Sequence, residues 1–198
     1  SHQGVEVITS HAVAGFEDHG KRLRLDDGRT IPADLVILSI GVRPDNQLAV
    51  TAGIELGIRG GILVDERYQT NIPDIYAVGD AIVVKQQITG KDALISLASP
   101  ANRQGRQVAD TISGISRRNQ GGIGTAIIRT FGMTAASTGL SERTAKENEL
   151  SFEVIHVSGK DHASYYPEAT DILLKLIFHP ETGEIYGAQG VGAKGVDK

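Results

Sequence analysis

Hydrophobic and polar residues alternate in short runs over the first 40 residues, and this pattern predicts strands. Val5-Glu6-Val7-Ile8 alternates in part, while Arg22-Leu23-Arg24-Leu25 alternates strictly and is followed by the turn signal Asp27-Gly28. Leu35-Val36-Ile37-Leu38 is continuously apolar, as in a strand covered on both faces, and Gly41 stops it ahead of the loop residues Arg43-Pro44-Asp45-Asn46. Residues 46–58 read as a short helix and an irregular stretch. Ile62-Leu63-Val64 and Ile75-Tyr76-Ala77-Val78 read as further strands, the second entered through the turn Thr70-Asn71-Ile72-Pro73-Asp74. Residues 82–97 read as a hairpin around Thr89-Gly90-Lys91.

The period then changes from two to 3.6. Ser99 is a good N-cap and Pro100 fits the first helical position. Ala101, Gly105, Val108, Ala109 and Ile112 share one helical face, with Arg103, Arg106, Gln107 and Asp110 off it, and Gly114 can end the helix. Residues 116–122, Ser-Arg-Arg-Asn-Gln-Gly-Gly, are polar and Gly-rich and mark a domain boundary. Beyond them, strands are expected at 125–131, 134–139, 152–157, 172–178 and 184–191, with a short helix from Ser141 to about Asn148. Several strands with one helix suggest an antiparallel α+β domain.

Composition narrows the field. The chain has 198 residues, 40% hydrophobic and 22% charged, which allows one or two domains with a sizeable core. A formal net charge of -4 with both signs mixed gives no footprint for nucleic acid or an anionic membrane, and neither is expected as a partner. No apolar run approaches the roughly 20 residues of a membrane span, and no signal peptide is visible at Ser1-His2-Gln3-Gly4. There is no Cys, so disulfides and thiolate ligands are excluded within these residues. The six His are scattered, and no metal site is expected.

One stretch carries chemistry. Ile75-Tyr76-Ala77-Val78 ends in Gly79-Asp80, which places a glycine and a carboxylate at the carboxyl end of an expected parallel strand, where open α/β sheets bind ligands. Glycine admits close approach of a ligand to the backbone, and a carboxylate accepts hydrogen bonds from sugar-type hydroxyls. Read alone, Gly-Asp is more simply a plain turn.

Together, Thr70, Ile75-Tyr76-Ala77 and Gly79-Asp80 resemble the second flavin motif of the pyridine nucleotide-disulfide oxidoreductases. The resemblance implies that Asp80 contacts the ribityl chain of FAD and that Gly79 is the position of close approach. Residues 35–45 look like the family's return from the NAD domain to the FAD domain. Residues 97–106 look like the helix whose N-terminus faces the flavin, implying Leu97, Ala98 and Pro100 as cofactor-binding positions. Free N–H groups at such a terminus would stabilise negative charge on reduced flavin. Gly187-Ala188-Gln189 and residues 195–198 resemble the dimerisation domain. The fold class implied is α/β plus α+β: the second half of a flavoprotein with two dinucleotide-binding domains, then an antiparallel dimerisation domain. The implied boundaries are 1–41 for the tail of the NAD(P)-binding domain, 42–115 for the C-terminal half of the FAD-binding domain and 120–198 for the dimerisation domain.

His162-Ala163-Ser164-Tyr165-Tyr166-Pro167 is similar to the branch of coenzyme A-disulfide reductases, NADH-dependent persulfide reductases and related NADH oxidases. There a Tyr of one subunit approaches the redox centre of the other, so Tyr165 or Tyr166 is the catalytic candidate. Two strand-edge aromatics packing at a subunit interface is the plainer alternative. The family's FAD and NAD(P)H glycine loops and redox Cys do not precede Val5. Gly190-Val191-Gly192-Ala193-Lys194-Gly195 has no following helix and is a decoy for them. The resemblance thus implies an internal piece of a cytoplasmic homodimer. The parent would use FAD with NADH or NADPH to reduce a small-molecule disulfide, a persulfide or oxygen, and the piece alone would be inactive. A non-catalytic dimerisation or partner-binding module, and a different flavoenzyme of this architecture, are the alternatives.

Overall fold

Arg22–Leu25 is the middle strand of an antiparallel meander in the computed structural model, which describes residues 3–197. Ser1 and His2, in the stretch read for a signal peptide, and Lys198, in the dimerisation-like stretch, lie outside those residues. The chain divides into two compact units, one up to Val42 and one from Arg43. In the first, β1 (Val13–Glu17), β2 (Arg22–Leu25) and β3 (Thr30–Pro32) lie in chain order. Leu23 pairs with both Phe16 and Ile31, and Leu25 is buried. The β2–β3 turn is closed by the Asp27 carboxylate, which accepts from the Arg29 N–H and Nε.

Two expected strands of this unit are absent. Val5-Glu6-Val7-Ile8 and Leu35-Val36-Ile37-Leu38 are irregular, and Leu35, Ile37 and Ile40 are 80–86% exposed. A strand buried on both faces needs neighbouring strands to take its backbone hydrogen bonds. Among the described residues no strand is paired with the Leu35–Leu38 run.

In the second unit α1 (Gln47–Thr51) leads into a loop that Ile62 closes by bridging Leu56. The 62–64 and 75–78 runs form isolated bridges rather than the strands their composition predicts: Ile62 pairs in parallel with Ile82, and Gln69 antiparallel with Tyr76. The expected hairpin is present as β4 (Val84–Lys85) and β5 (Asp92–Ala93). Its turn is held by Gln86, whose Oε1 accepts from the N–H groups of Ile88 and Thr89.

α2 runs from Ala98 to Ile112, starting two residues earlier than its sequence signals suggest. Leu97 is the N-cap, Ser99 caps nothing, and Pro100 stands third, where its missing N–H is still not needed. Ala101, Gly105 and Val108 face inward, but Ala109 and Ile112 are exposed and Gln104 is the buried residue. Gly114 ends the helix at φ +86 with the paired bonds Ile115 N–H to Asp110 O and Gly114 N–H to Thr111 O. Tyr68, Ile82 and Val84 form the core beneath α2, joined by Ile62, Ala77, Ile95 and Val108.

After residues 116–122, across which the second unit continues undivided, β6 (Thr125–Thr130), β7 (Met133–Gly139), β8 (Glu153–Lys160), β9 (Asp171–Phe178) and β10 (Ile185–Gly192) form one antiparallel sheet ordered β6-β7-β10-β9-β8. α3 (Glu142–Glu147) covers it through the fully buried Ala145, against Leu140, Ile177 and Tyr186. Ile88 of the hairpin packs on the same cluster. No helix among the described residues is long and apolar enough to cross a membrane.

The Ser141 Oγ accepts from the Thr144 N–H at 3.1 Å and caps α3. Ser141→Ala is expected to lower stability by about 1 kcal/mol, with Ser141→Asp close to wild type. Urea unfolding midpoints check this, and an unchanged midpoint for the Ala variant would remove the cap from the account.

Candidate functional site

Gly79 lies at φ +89, in the left-handed region that ends the 75–78 run. A Cβ there would stand 4.0 Å from Ala101 Cβ, an ordinary contact, so the dihedral rather than crowding calls for glycine. The Gly79 N–H donates to Oε1 of buried Gln104 at 2.7 Å, which ties this turn to α2. The parallel pairing expected just before Gly79-Asp80 comes after it: Ile62 N–H bonds to Ala81 O at 2.8 Å, and Val83 N–H to Ile62 O at 2.9 Å. The left-handed glycine interrupts extended backbone, so pairing resumes only beyond the turn. The Asp80 backbone carbonyl accepts from Ser96 Oγ at 3.4 Å. Its side chain is exposed, and among the described residues no hydrogen bond or ion pair holds the carboxylate.

The start of α2 lies against this turn. No side chain caps it, and no acidic residue stands in its first turn. Ala101 N–H bonds to Leu97 O at 3.2 Å, Pro100 has no N–H, and the amides of Ala98 and Ser99 have no partner among the described residues. The positive end of a 15-residue helix is therefore uncompensated at Ala98-Ser99. A cavity of about 210 Å³ opens beside it, with Ser99, Pro100, Arg103 and Gln104 on one wall and residues 121–125 on the other. Tyr68, buried and at φ +66, lines it and donates from its hydroxyl to Gln107 Oε1 at 2.5 Å. Burial pushes the Tyr68 phenol up, and the Arg103 charge opposes that.

Gly79, Asp80, Leu97, Ala98 and Pro100 thus share one neighbourhood. Tyr165 and Tyr166 lie elsewhere, on the β8–β9 loop, 84% and 59% exposed. Their ring partners are each other, at 5.1 Å, and His162, which meets Tyr166 edge-on at 6.0 Å. The 190–195 glycines belong to β10 and the turn after it. Lys194 is held by Glu168 at 2.8 Å, which lowers the Glu168 carboxyl and raises the lysine. Gln104 was not singled out by the pattern, although its place three residues after Ala101 puts it on the core-facing stripe.

Residues 1–105 match the family described as pyridine nucleotide-disulphide oxidoreductase, and residues 126–197 match its dimerisation domain. The chain belongs to the pyridine nucleotide-disulphide oxidoreductase family. It is 33% identical over 170 residues to the NAD(P)H sulfur oxidoreductase (CoA-dependent) of Pyrococcus furiosus, covering 86% of this chain and 38% of that protein. Among solved structures it is similar to reduced CoADR-RHD of Bacillus anthracis, at TM-score 0.92 and 47% identity over 94% of this chain and 34% of the other. It is also similar to an NAD-dependent persulfide reductase from A. fulgidus, at TM-score 0.94 and 38% identity over 99% of this chain and 37% of the other. The chain therefore spans little more than a third of the length of these members of the family.

The residues present fit one wall of a flavin site. An open glycine at positive φ, an unpartnered carboxylate beside it and two unpaired amides at a helix start can take hydroxyls and an electron-rich ring edge. A redox thiol is not supplied here, because the chain contains no Cys.

Proposed function

We propose that this chain is part of a longer FAD-dependent NAD(P)H oxidoreductase that reduces a disulfide or persulfide of the coenzyme A type. Residues 1–41 would end its NAD(P)-binding domain, 42–115 would form the second half of its FAD-binding domain and 120–198 most of its dimerisation domain. The observation that carries the reading is the exposed Asp80 carboxylate, which has no hydrogen bond or ion pair among the described residues and directly follows the left-handed Gly79, whose N–H is tied to Gln104 of α2. Bound there, FAD would supply two-electron transfer between a nicotinamide and the acceptor. Asp80 would hold hydroxyls of its side chain, Gly79 would admit it closely, and the Leu97–Pro100 segment would present amides to its ring. The 198-residue chain alone lacks the thiol and is expected to have no reductase turnover.

Oxygen is the alternative acceptor, as an NADH oxidase would use it. Ile127, Leu174 and Val157 lie in register on one face of the sheet and are 45–54% exposed, which supports self-association through this face. The exposed run at Leu35, Ile37, Leu38 and Ile40 supports a covering domain over a self-sufficient module. Tyr165 or Tyr166 would reach the redox centre of the partner subunit.

Asp80→Asn in the full-length enzyme tests the site. It keeps the shape and one acceptor but loses the charge, which in a hydrogen bond contributes about 1 kcal/mol beyond a neutral one. FAD is expected to bind roughly tenfold more weakly, seen in reconstitution titrations. Unchanged FAD affinity would remove Asp80 from the site.

A further inference from the structure

The 161–170 loop is constrained at its base far more than two exposed tyrosines require. Asp161 N–H bonds to Thr170 O at 3.0 Å, and Thr170 N–H returns to Asp161 Oδ1 at 2.7 Å, closing the neck. The other carboxylate oxygen, Oδ2, stands 2.9 Å from His162 Nδ1, so one side chain fixes both the neck and the imidazole. That side chain is 3% exposed. Gly195, at φ +72, leaves room for it, since a Cβ there would fall 2.8 Å from Asp161 Cβ. His162 Nε2 lies 3.4 Å from Pro167 O, and the ring meets Tyr166 edge-on at 66°. Tyr166 N–H closes a turn onto Ala163 O, and Lys194 ties Glu168 from outside the loop.

We infer that Asp161 and His162 are positioning residues for Tyr166. Asp161 anchors the imidazole, and the imidazole edge sets the attitude of the Tyr166 ring. The inference rests on the reading that this loop serves a redox centre. An exposed phenol samples several rotamers, and each one excluded before the reaction lowers the ordering cost at that step. The Thr170 amide, and then His162, hold the Asp161 carboxyl below its ordinary range, so the anchor is present above that range and is lost only as acid protonates it.

The test uses the full-length, flavin-loaded enzyme with an acceptor disulfide. Asp161→Asn retains an oxygen for the Thr170 amide and removes the charge facing His162. His162→Ala removes the ring and leaves the neck intact, so it serves if the first variant fails to fold. For either, kcat with the disulfide is expected to fall about tenfold, while flavin content and the rate of flavin reduction by NADH stay at wild-type values. Combined with Tyr166→Phe, neither is expected to add to the loss of Tyr166→Phe alone, because both act through the same phenol. Independently of activity, the NMR signals of labelled Tyr166 should collapse toward the averaged positions of a free ring in both variants. If Tyr166→Phe lowers turnover but Asp161→Asn and His162→Ala do not, or if their losses add to it, the positioning role is overturned. Unchanged Tyr166 ring signals overturn it as well. If Tyr166→Phe turns over the disulfide at the wild-type rate, the reading of the loop fails first and the inference falls with it.

Discussion

Gly187→Ala is expected to disrupt the five-stranded sheet, at a loss of more than about 3 kcal/mol. Gly187 lies in β10 opposite Gly139 of β7. A Cβ on Gly187 would run into the Leu140 carbonyl oxygen, with the Leu140 nitrogen at 2.7 Å. That obstacle is backbone, and it is pinned: Leu140 N–H bonds to Tyr186 O at 2.8 Å, and Leu140 O accepts from Gln189 Nε2 at 3.1 Å. Relief by movement would displace Leu140 and Tyr186, both in the core of this sheet. Replacing Gly by Ala ordinarily favours a folded strand by about 0.5–1 kcal/mol through the unfolded chain. Overpacking against fixed backbone costs about 1–3 kcal/mol, and the lost hydrogen bonds and displaced core residues add to it, so the clash wins. Gly159→Ala in β8 is the control: nothing lies within 4 Å of its added Cβ, and its stability should stay within about 1 kcal/mol of wild type. Denaturant unfolding of both variants decides. Equal stabilities would mean that the close approach at Gly187 is not what the glycine is for.

The contrast between those two glycines shows where sequence reading stops. Every strand from 125 onward was legible, because the pattern of apolar runs and turn residues is a local signal. The order β6-β7-β10-β9-β8 was not, since it places the last strand between β7 and β9 through pairings distant in sequence. The apolar Leu35-Val36-Ile37-Leu38 run carries strand composition but has no neighbour among the described residues to complete it. Propensity without a pairing partner leaves it irregular.

At the candidate site, Gly79 and Asp80 were legible as types that suit a ligand at a chain reversal. Gln104 was not, because the helical period was read through apolar residues and the buried position is an amide. It is buried there because its oxygen satisfies the Gly79 N–H, a reason no periodicity shows. Tyr68 is similar: nothing local announces a buried aromatic at φ +66 whose hydroxyl reaches Gln107. In the β8–β9 loop the tyrosines stood out as exposed aromatics, whereas Asp161 gained significance only when the fold brought Thr170 and Gly195 against it.

Gly79→Val should abolish flavin retention by the full-length enzyme, an effect of more than a hundredfold on affinity, equivalent to about 3 kcal/mol. An L-residue held at φ +89 costs about 1–2 kcal/mol, and a β-branched one is a genuine outlier there. With its Cβ already 4.0 Å from Ala101 Cβ, the γ-methyls of Val would reach α2 or the space that a ligand needs. The chain has two responses. It can hold the turn and accept the strain with the approach to Asp80 obstructed. It can instead rotate to negative φ, which withdraws the Gly79 N–H from Gln104 Oε1 and leaves a buried amide pair unmet at about 1–3 kcal/mol. Either response denies a ligand the Asp80 carboxylate, the first by obstructing it and the second by displacing the turn that carries it. Gly79→Ala separates the terms: its Cβ fits, so only the dihedral cost applies, and flavin affinity should fall to a value between wild type and Val. Flavin absorbance per subunit after purification, followed by reconstitution titration, measures all three. Wild-type flavin content in the Val variant would place the cofactor away from this turn. A loss in Ala equal to that in Val would show that backbone strain, rather than close approach, is what Gly79 provides.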